Sequence, residues 1–186
     1  MKRLKLLALS GSLRQHSLNT MALAALVTLA PEGVDIVCGD IASLPLFNPD
    51  LEGHWLPAVK KLTAALQQSD GLIIASPEYA HGISGPMKNA LDWLVGSIDF
   101  PAMPIMLINT SPRASHAQDA LKEILTTMSA ELIQTSFVSL PLLGANIDVE
   151  GIVATPQLAT ALQRGVGDFC QHLENKAAIE NNALRF

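Results

Sequence analysis

Short apolar runs alternate along the chain with segments whose apolar residues recur at helical spacing. The runs predict five strands, and the segments between them predict five helices. The predicted strands cover residues 4–9, 34–38, 71–75, 104–109 and 133–140, and the predicted helices cover 18–30, 55–68, 86–95, 115–130 and 156–173. This alternation is typical of an α/β protein in which a parallel sheet of order 2-1-3-4-5 has helices on both faces.

The length and composition are those of one well-packed domain. Because the 186 residues are 49% apolar and 16% charged, we expect a single domain over residues 1–186, with a loosely ordered tail at 175–186. The formal charge of −5 and the lack of a basic run argue against nucleic-acid binding. No apolar stretch approaches the ~18 residues that span a membrane, and Cys38 and Cys170 are too few for a disulfide framework. These features predict a soluble, cytoplasmic protein.

A hydroxyl-rich loop, residues 10–20, follows the first predicted strand and leads into the first helix. It begins at Ser10 and ends at Thr20, and it contains Arg14. A helix N-terminus favours an anion, and hydroxyls and a guanidinium add further donors, so the loop is suited to a phosphate monoester. The alternative is that Ser17 or Asn19 only caps the helix and that Arg14 is solvated.

Two well-known phosphate-binding loops do not match this segment. A Walker A loop has a lysine after its second glycine, and the dinucleotide fingerprint has three glycines, whereas Gly11 stands alone here. A mononucleotide therefore fits better than ATP or a Rossmann-bound dinucleotide. In a doubly wound sheet such a ligand lies at the carboxyl ends of the strands.

Two further loops are expected at the same edge of the sheet. The loop after the third strand carries several glycines, which allow close approach to a flat ligand, and Tyr79, which could stack on a planar ring. The loop at 109–116 supplies more hydrogen-bond donors. Both have structural alternatives: Lys88 and Asp92 form an exposed ion pair after the first of these loops, and Ser111 or Ser115 caps a helix in the second.

Three sequence motifs follow one another along the chain, two of them in the loops described above. They are G-S-L-R-x-x-S-x-N at 11–19, L-P-L-F-N-P-D at 44–50 and S-P-E-Y…G…K-N-A-L-D-W at 76–93. In this order the chain resembles the NADPH-dependent FMN reductase family, a flavodoxin-like group that includes quinone, chromate and azo-dye reductases. The resemblance covers at least residues 4–140 and implies a flavodoxin-like, three-layer α/β/α fold with a five-stranded parallel sheet.

The resemblance also implies FMN as the cofactor and assigns its neighbours. The implied phosphate ligands are Ser10, Ser12, Arg14, Ser17, Asn19 and Thr20, the implied ring neighbours are Pro77, Glu78, Tyr79, Ala80, His81 and Gly82, and Ser111 joins them from the third loop. Two positions depart from the family pattern near the ring. Ala80 stands where members commonly have Asn, and Pro112 to Ser115 replace a common glycine pair.

The activity implied by the resemblance is that of an FMN-dependent NAD(P)H oxidoreductase. NADPH or NADH would donate a hydride, and a quinone or similar small molecule would accept the electrons in ping-pong turnover. Because the flavin carries the electrons, no catalytic side chain is expected. The resemblance further implies a homodimer or homotetramer, with Trp93, Leu94 and Val95 near the partner. A flavodoxin-type electron carrier and a non-catalytic binding domain are the alternatives.

Histidines on the three loops raise the question of a metal site. His16, His81 and His116 are not spaced with cysteine or another histidine as metal-ligand pairs are, so no metal site is predicted. His81 and His116 could contact nucleotide phosphates or the substrate. Arg113 could contact the NADPH 2′-phosphate, with a solvated surface arginine as the alternative.

Overall fold

The structure, a computed structural model, describes residues 3–111 and 115–183. Its strands are β1 Leu4–Ser10, β2 Val34–Cys38, β3 Gly71–Ala75, β4 Glu78–Tyr79, β5 Gly82–Ile83, β6 Pro104–Asn109, β7 Glu131–Leu132 and β8 Val138–Ser139. Its helices are α1 Leu18–Thr28, α2 Pro57–Gln67, α3 Gly85–Leu94, α4 His116–Thr127, α5 Val149–Ala154 and α6 Pro156–Ala183. Short 3-10 helices cover Pro49–Leu51 and Gln134–Ser136.

One parallel sheet forms the middle layer. Its order is β2-β1-β3-β6, and both β7 and β8 pair with β6 on the outer side. Because β7 and β8 share the fifth position, the predicted order 2-1-3-4-5 and the flavodoxin-like fold are confirmed. All five residues of the central strand β3 are buried, as is typical of a parallel strand with helices on both faces.

The fifth strand is not the continuous run that the sequence predicts at 133–140. The chain pairs with β6 only at β7 and β8, and it turns through a 3-10 helix between them. The buried Ser136 hydroxyl donates to the Ile133 carbonyl at 2.7 Å. Such local bonds from a serine compete with pairing to the sheet, which accounts for the interruption.

The last helix is longer than predicted. Residues 175–183, expected to be part of a loose tail, continue α6 to Ala183. Lys176 anchors this portion by donating to the Glu131 carboxylate at 2.7 Å and to the Ala102 carbonyl at 3.0 Å. Although α6 has 28 residues, neither it nor any other described helix is both long and apolar enough to cross a membrane.

The sheet separates two apolar clusters. The first lies under α1, α5 and α6, and the second lies under α2, α3 and α4. Successive strand residues face opposite clusters, so Ile73 belongs to the first and Leu72 to the second. Trp93 and Leu94 are buried in the second cluster, whereas Val95 is exposed. Of the three residues expected near a partner subunit, only Val95 is accessible.

Candidate functional site

A cleft of about 300 Å³ lies at the carboxyl ends of β1, β3 and β6. Its walls come from the hydroxyl-rich loop, the start of α1, the segment after β3 and the segment after β6. This is the edge of the sheet where a doubly wound fold binds its ligand. The three loops singled out in the sequence therefore meet in one cleft.

The hydroxyl-rich loop is held in place by its own side chains. Ser17 caps α1, and its hydroxyl accepts a hydrogen bond from the Thr20 N–H at 3.2 Å. The hydroxyls of Ser10 and Thr20 lie 2.8 Å apart and share a hydrogen bond. The Ser12 hydroxyl accepts from the Arg14 N–H at 3.4 Å. The capping alternative for Ser17 is thus correct, and it leaves the Ser17 hydroxyl proton available to a ligand because a hydroxyl both accepts and donates.

The electrostatic character of this end of the cleft favours an anion. α1 has no acidic residue in its first turn, so its positive dipole end is not neutralised from within the helix. Ser12 and Ser17 are buried along the cleft wall, and the exposed Arg14 also lines it. Backbone donors, hydroxyls and one guanidinium in a shared wall fit the phosphate monoester of FMN.

Gly11 lets the first loop pass close to the segment after β3. A Cβ at this position would lie 2.9 Å from Ser76 Cβ and 3.0 Å from Ser84 Oγ, closer than real Cβ atoms tolerate without a shift of the neighbours. The Gly11 N–H donates to the Ala75 carbonyl at 2.8 Å. A side chain at this position would therefore push apart two walls of the cleft.

A buried hydrogen bond joins α1 to the segment after β6. The Thr110 hydroxyl donates to Asn19 Oδ1 at 3.1 Å, and both residues are almost fully buried. Asn19 therefore has a structural partner inside the protein. This bond fixes the segment after β6 against the first turn of α1.

The segment after β3 is a tight hairpin, residues 78–83, and not the open loop expected from the sequence. β4 and β5 pair antiparallel, with Tyr79 opposite Gly82. The two residues between them, Ala80 and His81, have φ values of 48° and 60°. Two central residues with positive φ are the mark of a type I′ turn. Tyr79 is 50% exposed, so its ring is accessible from the cleft.

The hairpin contacts the start of α4 at two points. Glu78 Oε2 accepts a hydrogen bond from the Ala117 N–H at 2.9 Å. The His81 and His116 rings stack with centroids 4.2 Å apart and planes inclined by 21°. The alternative in which Ser115 caps this helix is wrong, because Ser115 makes no side-chain capping bond. The glutamate of the neighbouring loop takes that role.

The structure places the sequence-derived site residues in two groups. Those that line the cleft are Ser12, Arg14, Ser17, Asn19, Pro77, Glu78, Tyr79 and Ser111. Ser10 and Thr20, at the two ends of the hydroxyl-rich loop, bond to each other and are not among the lining residues, and Ala80, His81 and Gly82 lie in the hairpin outside the lining. Pro112, Arg113 and Ala114 lie outside the described residues, so the Arg113 hypothesis lies there as well. The FMN-binding roles of all these residues stay predictions.

Several lining residues are absent from the sequence-derived set. They are His16, Leu18, Ser76, Asn109, Thr110, Ala117, Gln118 and Leu143. Most fall within the loops already identified, so their position after a strand could have included them. Leu143 follows β8 and had no local signal, because the leucines around it look alike in the sequence. Its exposed apolar side chain gives the cleft an additional wall.

The remaining local predictions concern ion pairs and metals. Lys88 and Asp92 form the expected pair on α3 at 2.5 Å. Within residues 3–111 and 115–183, no three side chains of His, Cys, Asp or Glu are grouped so that they could hold a metal ion.

Comparisons with known proteins agree with this geometry. The sequence model of NADPH-dependent FMN reductases matches residues 4–142. A quinone reductase of Escherichia coli is 34% identical over 137 residues, which are 69% of this chain and 73% of that protein. A NAD(P)H-dependent FMN reductase of Pseudomonas aeruginosa is 40% identical over 91 residues, which are 48% of this chain and about half (49%) of its own length.

A solved structure shows the same fold. FerB, a flavoenzyme NAD(P)H:(acceptor) oxidoreductase from Paracoccus denitrificans, superposes with a TM-score of 0.75 at 28% identity and covers 92% of this chain and 97% of its own. The family match includes both the hydroxyl-rich loop and the hairpin that follows β3. The chain therefore belongs to the NADPH-dependent FMN reductase family.

Proposed function

We propose that this chain is an FMN-dependent NAD(P)H oxidoreductase that passes electrons to a quinone or a similar small acceptor. The observation that carries the proposal is the meeting of the hydroxyl-rich loop and the hairpin in one cleft. One wall is suited to a phosphate and the other to a flat ring. Family membership and the quinone reductase of E. coli support the same activity.

The lining residues fall into two groups, one suited to the FMN phosphate and the other to its ring. Ser12, Ser17, the first-turn N–H groups of α1 and Arg14 would bind the FMN phosphate. Pro77 and Tyr79 would border the ring, and the half-exposed Tyr79 would be accessible to a second small molecule. When bound, FMN supplies the hydride chemistry. The polypeptide contributes binding and orientation, and no proton-transferring side chain is required.

The first experiment is an anaerobic titration of the FMN-supplemented protein with NADPH, followed by visible absorption. Loss of the oxidised flavin band on the timescale of turnover is the expected result. A bound flavin that NADPH does not bleach would instead indicate a flavodoxin-type electron carrier. A protein that retains no FMN would refute the cofactor assignment and with it the reductase.

The phosphate site has a matched pair of arginine variants. Removal of one charge-assisted hydrogen bond costs roughly 1.5–3 kcal/mol, so Arg14→Gln should weaken FMN binding by about 10- to 100-fold. Arg164 on α6 is exposed and only pairs with Asp168 at 3.7 Å, so Arg164→Gln should leave the affinity unchanged. Quenching of FMN fluorescence measures both, and equal affinities would remove Arg14 from the site.

We also propose that two copies of the chain associate as a homodimer. Trp55 and Ile98 are 79% and 90% exposed, and Ile98 lines a groove of about 420 Å³ together with residues 51–54 and Leu56. The groove also carries Lys60 and the two acidic residues Glu52 and Asp99. Opposite charges around an apolar groove suit a contact between identical surfaces.

Sedimentation equilibrium tests the dimer with two isoleucine variants. Ile98→Asp should shift the protein toward monomer. Ile179→Asp should not, because Ile179 is similarly exposed but lies on α6, away from the groove. A monomeric wild type, or a dimer insensitive to Ile98→Asp, would contradict this surface.

A cytoplasmic location also stays a proposal, supported by the free thiols of Cys38 and Cys170.

A further inference from the structure

The hairpin that borders the cleft has an unfavourable turn. A type I′ turn prefers residues such as Asn-Gly because both central positions need positive φ. This chain has Ala80 and His81 there, at φ 48° and 60°. Non-glycine residues in this conformation persist where surrounding contacts over-determine them. The hairpin therefore requires stabilising contacts from outside its own six residues.

Those contacts come from α4. The Glu78 carboxylate accepts from the Ala117 N–H at 2.9 Å, and His81 stacks on His116. Both links start in the hairpin, and both end in the first turn of α4, at adjacent residues. Ser115 leaves this helix end without a side-chain cap of its own, so the carboxylate also satisfies an N–H that a helix otherwise leaves without an intrahelical partner.

These contacts indicate a role for Glu78 that differs from the ring contact implied by the resemblance. A carboxylate aimed at a phosphate or at a reduced, anionic flavin ring would be repelled, whereas one bonded to the positive end of a helix is stabilised. One Glu78 carboxylate oxygen already accepts a hydrogen bond from the Ala117 N–H. The side chain is therefore better suited to hold the hairpin against α4 than to bind a ligand.

We propose that Glu78 is a positioning residue. Together with the His81–His116 stack it forms a clasp that locks the strained hairpin onto α4 and fixes the backbone of Pro77 to Tyr79 for the ring of the cofactor. The inference rests on the proposed function for its link to FMN. The clasp itself is a property of the protein without FMN.

The test begins with the apoprotein. Hydrogen exchange at the amides of residues 78–83 and of the first turn of α4 should be about tenfold or more faster in Glu78→Ala, the size expected when a hydrogen bond to a charged group is lost. Glu78→Gln retains an acceptor oxygen and should lie between Glu78→Ala and the wild type. Glu123→Ala removes the same charge from an exposed position on α4 and should exchange like the wild type.

The second readout concerns FMN itself. The binding constant from fluorescence quenching should weaken in Glu78→Ala, and the visible absorption maxima of the bound flavin should shift as its ring environment changes. His116→Ala should reproduce both effects more weakly, because it removes the stack and keeps the carboxylate. Partial rescue by Glu78→Gln is expected in both measurements.

The outcomes separate the competing explanations. Weaker FMN binding with unchanged exchange of the apoprotein would make Glu78 a direct ligand and overturn the clasp. Unchanged exchange and unchanged binding would also overturn it. If Glu78→Ala does not fold, Glu78→Gln and His116→Ala decide the question by the same readouts. If the wild type binds no FMN, the proposed function fails, while the exchange data still test the clasp.

Discussion

The buried Ser84 hydroxyl donates a hydrogen bond to the Gly11 carbonyl oxygen, although the two residues are 73 positions apart in the chain. The same hydroxyl accepts from the Met87 N–H at 3.2 Å and caps α3. One serine thereby joins the hydroxyl-rich loop to the helix that follows the hairpin. The two walls of the cleft are held at a fixed separation by this bond and by the absence of a side chain on Gly11.

Gly11→Ala should disturb this separation. The new methyl group would contact Ser76 and Ser84 inside a packed region, and overpacking of this kind costs about 1–3 kcal/mol. Urea unfolding of the apoprotein should show that loss, and FMN affinity should fall with it. Gly167→Ala is the control: its Cβ would meet nothing within 4 Å on α6, so it should stabilise by roughly 0.5–1 kcal/mol. Equal unfolding midpoints for the two variants would contradict the close approach.

Ala80→Gly should stabilise the protein. Glycine adopts the left-handed conformation of this position without strain, so up to about 1 kcal/mol should be gained despite the extra freedom of the unfolded chain. The same substitution at Ala64, an exposed position in the middle of α2, should instead cost about 1 kcal/mol. Thermal unfolding of the pair should therefore give shifts of opposite sign. A loss of stability at both positions would show that the hairpin turn is unstrained.

The contact between α6 and β7 should depend on pH. Burial alone raises the pKa of Glu131, but the hydrogen bond and charge of Lys176 and the charge of His172 lower it by more, so the net pKa lies below 4.5. A carboxyl with a depressed pKa stabilises the folded state above its unfolded pKa, and the effect disappears as the pH falls through the folded pKa. Glu131 is partly exposed, so solvent screening keeps the contribution below about 1 kcal/mol.

Urea midpoints of the wild type and Glu131→Gln test this directly. The wild type should be the more stable at pH 7, and the difference should shrink toward pH 3. Glu32→Gln, which removes a carboxylate from an exposed loop, should show no comparable difference at either pH. A difference in urea midpoint between the wild type and Glu131→Gln that persists at pH 3 would mean that the Glu131 side chain stabilises the protein through packing instead of charge.

The two thiols should differ in reactivity. Cys170 is 8% exposed on α6, and burial and the charge of Glu174 raise its pKa to about 11. Cys38 lies exposed at the end of β2, although partial burial of its thiol raises its pKa as well. Since the thiolate is the reactive form, iodoacetamide at pH 8 should modify Cys38 first and Cys170 only after unfolding. Mass spectrometry of native and urea-treated protein gives the order, and native modification of Cys170 would disprove its protection.

Elements with a strong local pattern could be predicted, and those that depend on distant partners could not. β2 and β3 begin and end where their apolar runs do. α5 was missed because six residues are too few to show a helical period. In the part of α6 beyond its predicted end, Lys176 bonds to Glu131, 45 residues away, which no local pattern indicates. The interruption between β7 and β8 follows from a serine whose local bond replaces a pairing to the sheet.

The same division holds for the candidate site. Sequence motifs identified the three loops that line the cleft, because a loop after each strand of a parallel sheet must lie at one edge. They could not separate Ser12, which lines the cleft, from Ser10, whose hydroxyl faces Thr20. They also could not show that Glu78 turns toward Ala117, since that bond requires α4 to be in place.

By itself, the sequence determined the alternation of strands and helices, the order of the sheet and the position of a phosphate-suited loop after β1. The alternation and the loop follow from the period of apolar residues and from local loop chemistry, and the strand order follows from the topology rules for alternating strands and helices. The tertiary structure alone decided that Asn19 bonds to Thr110, 91 residues away, and that Glu78 is bonded to α4. Such pairings form only when packing of the helices on the sheet brings separate loops within hydrogen-bond distance, because a hydrogen bond depends on tenths of an ångström that no local pattern encodes.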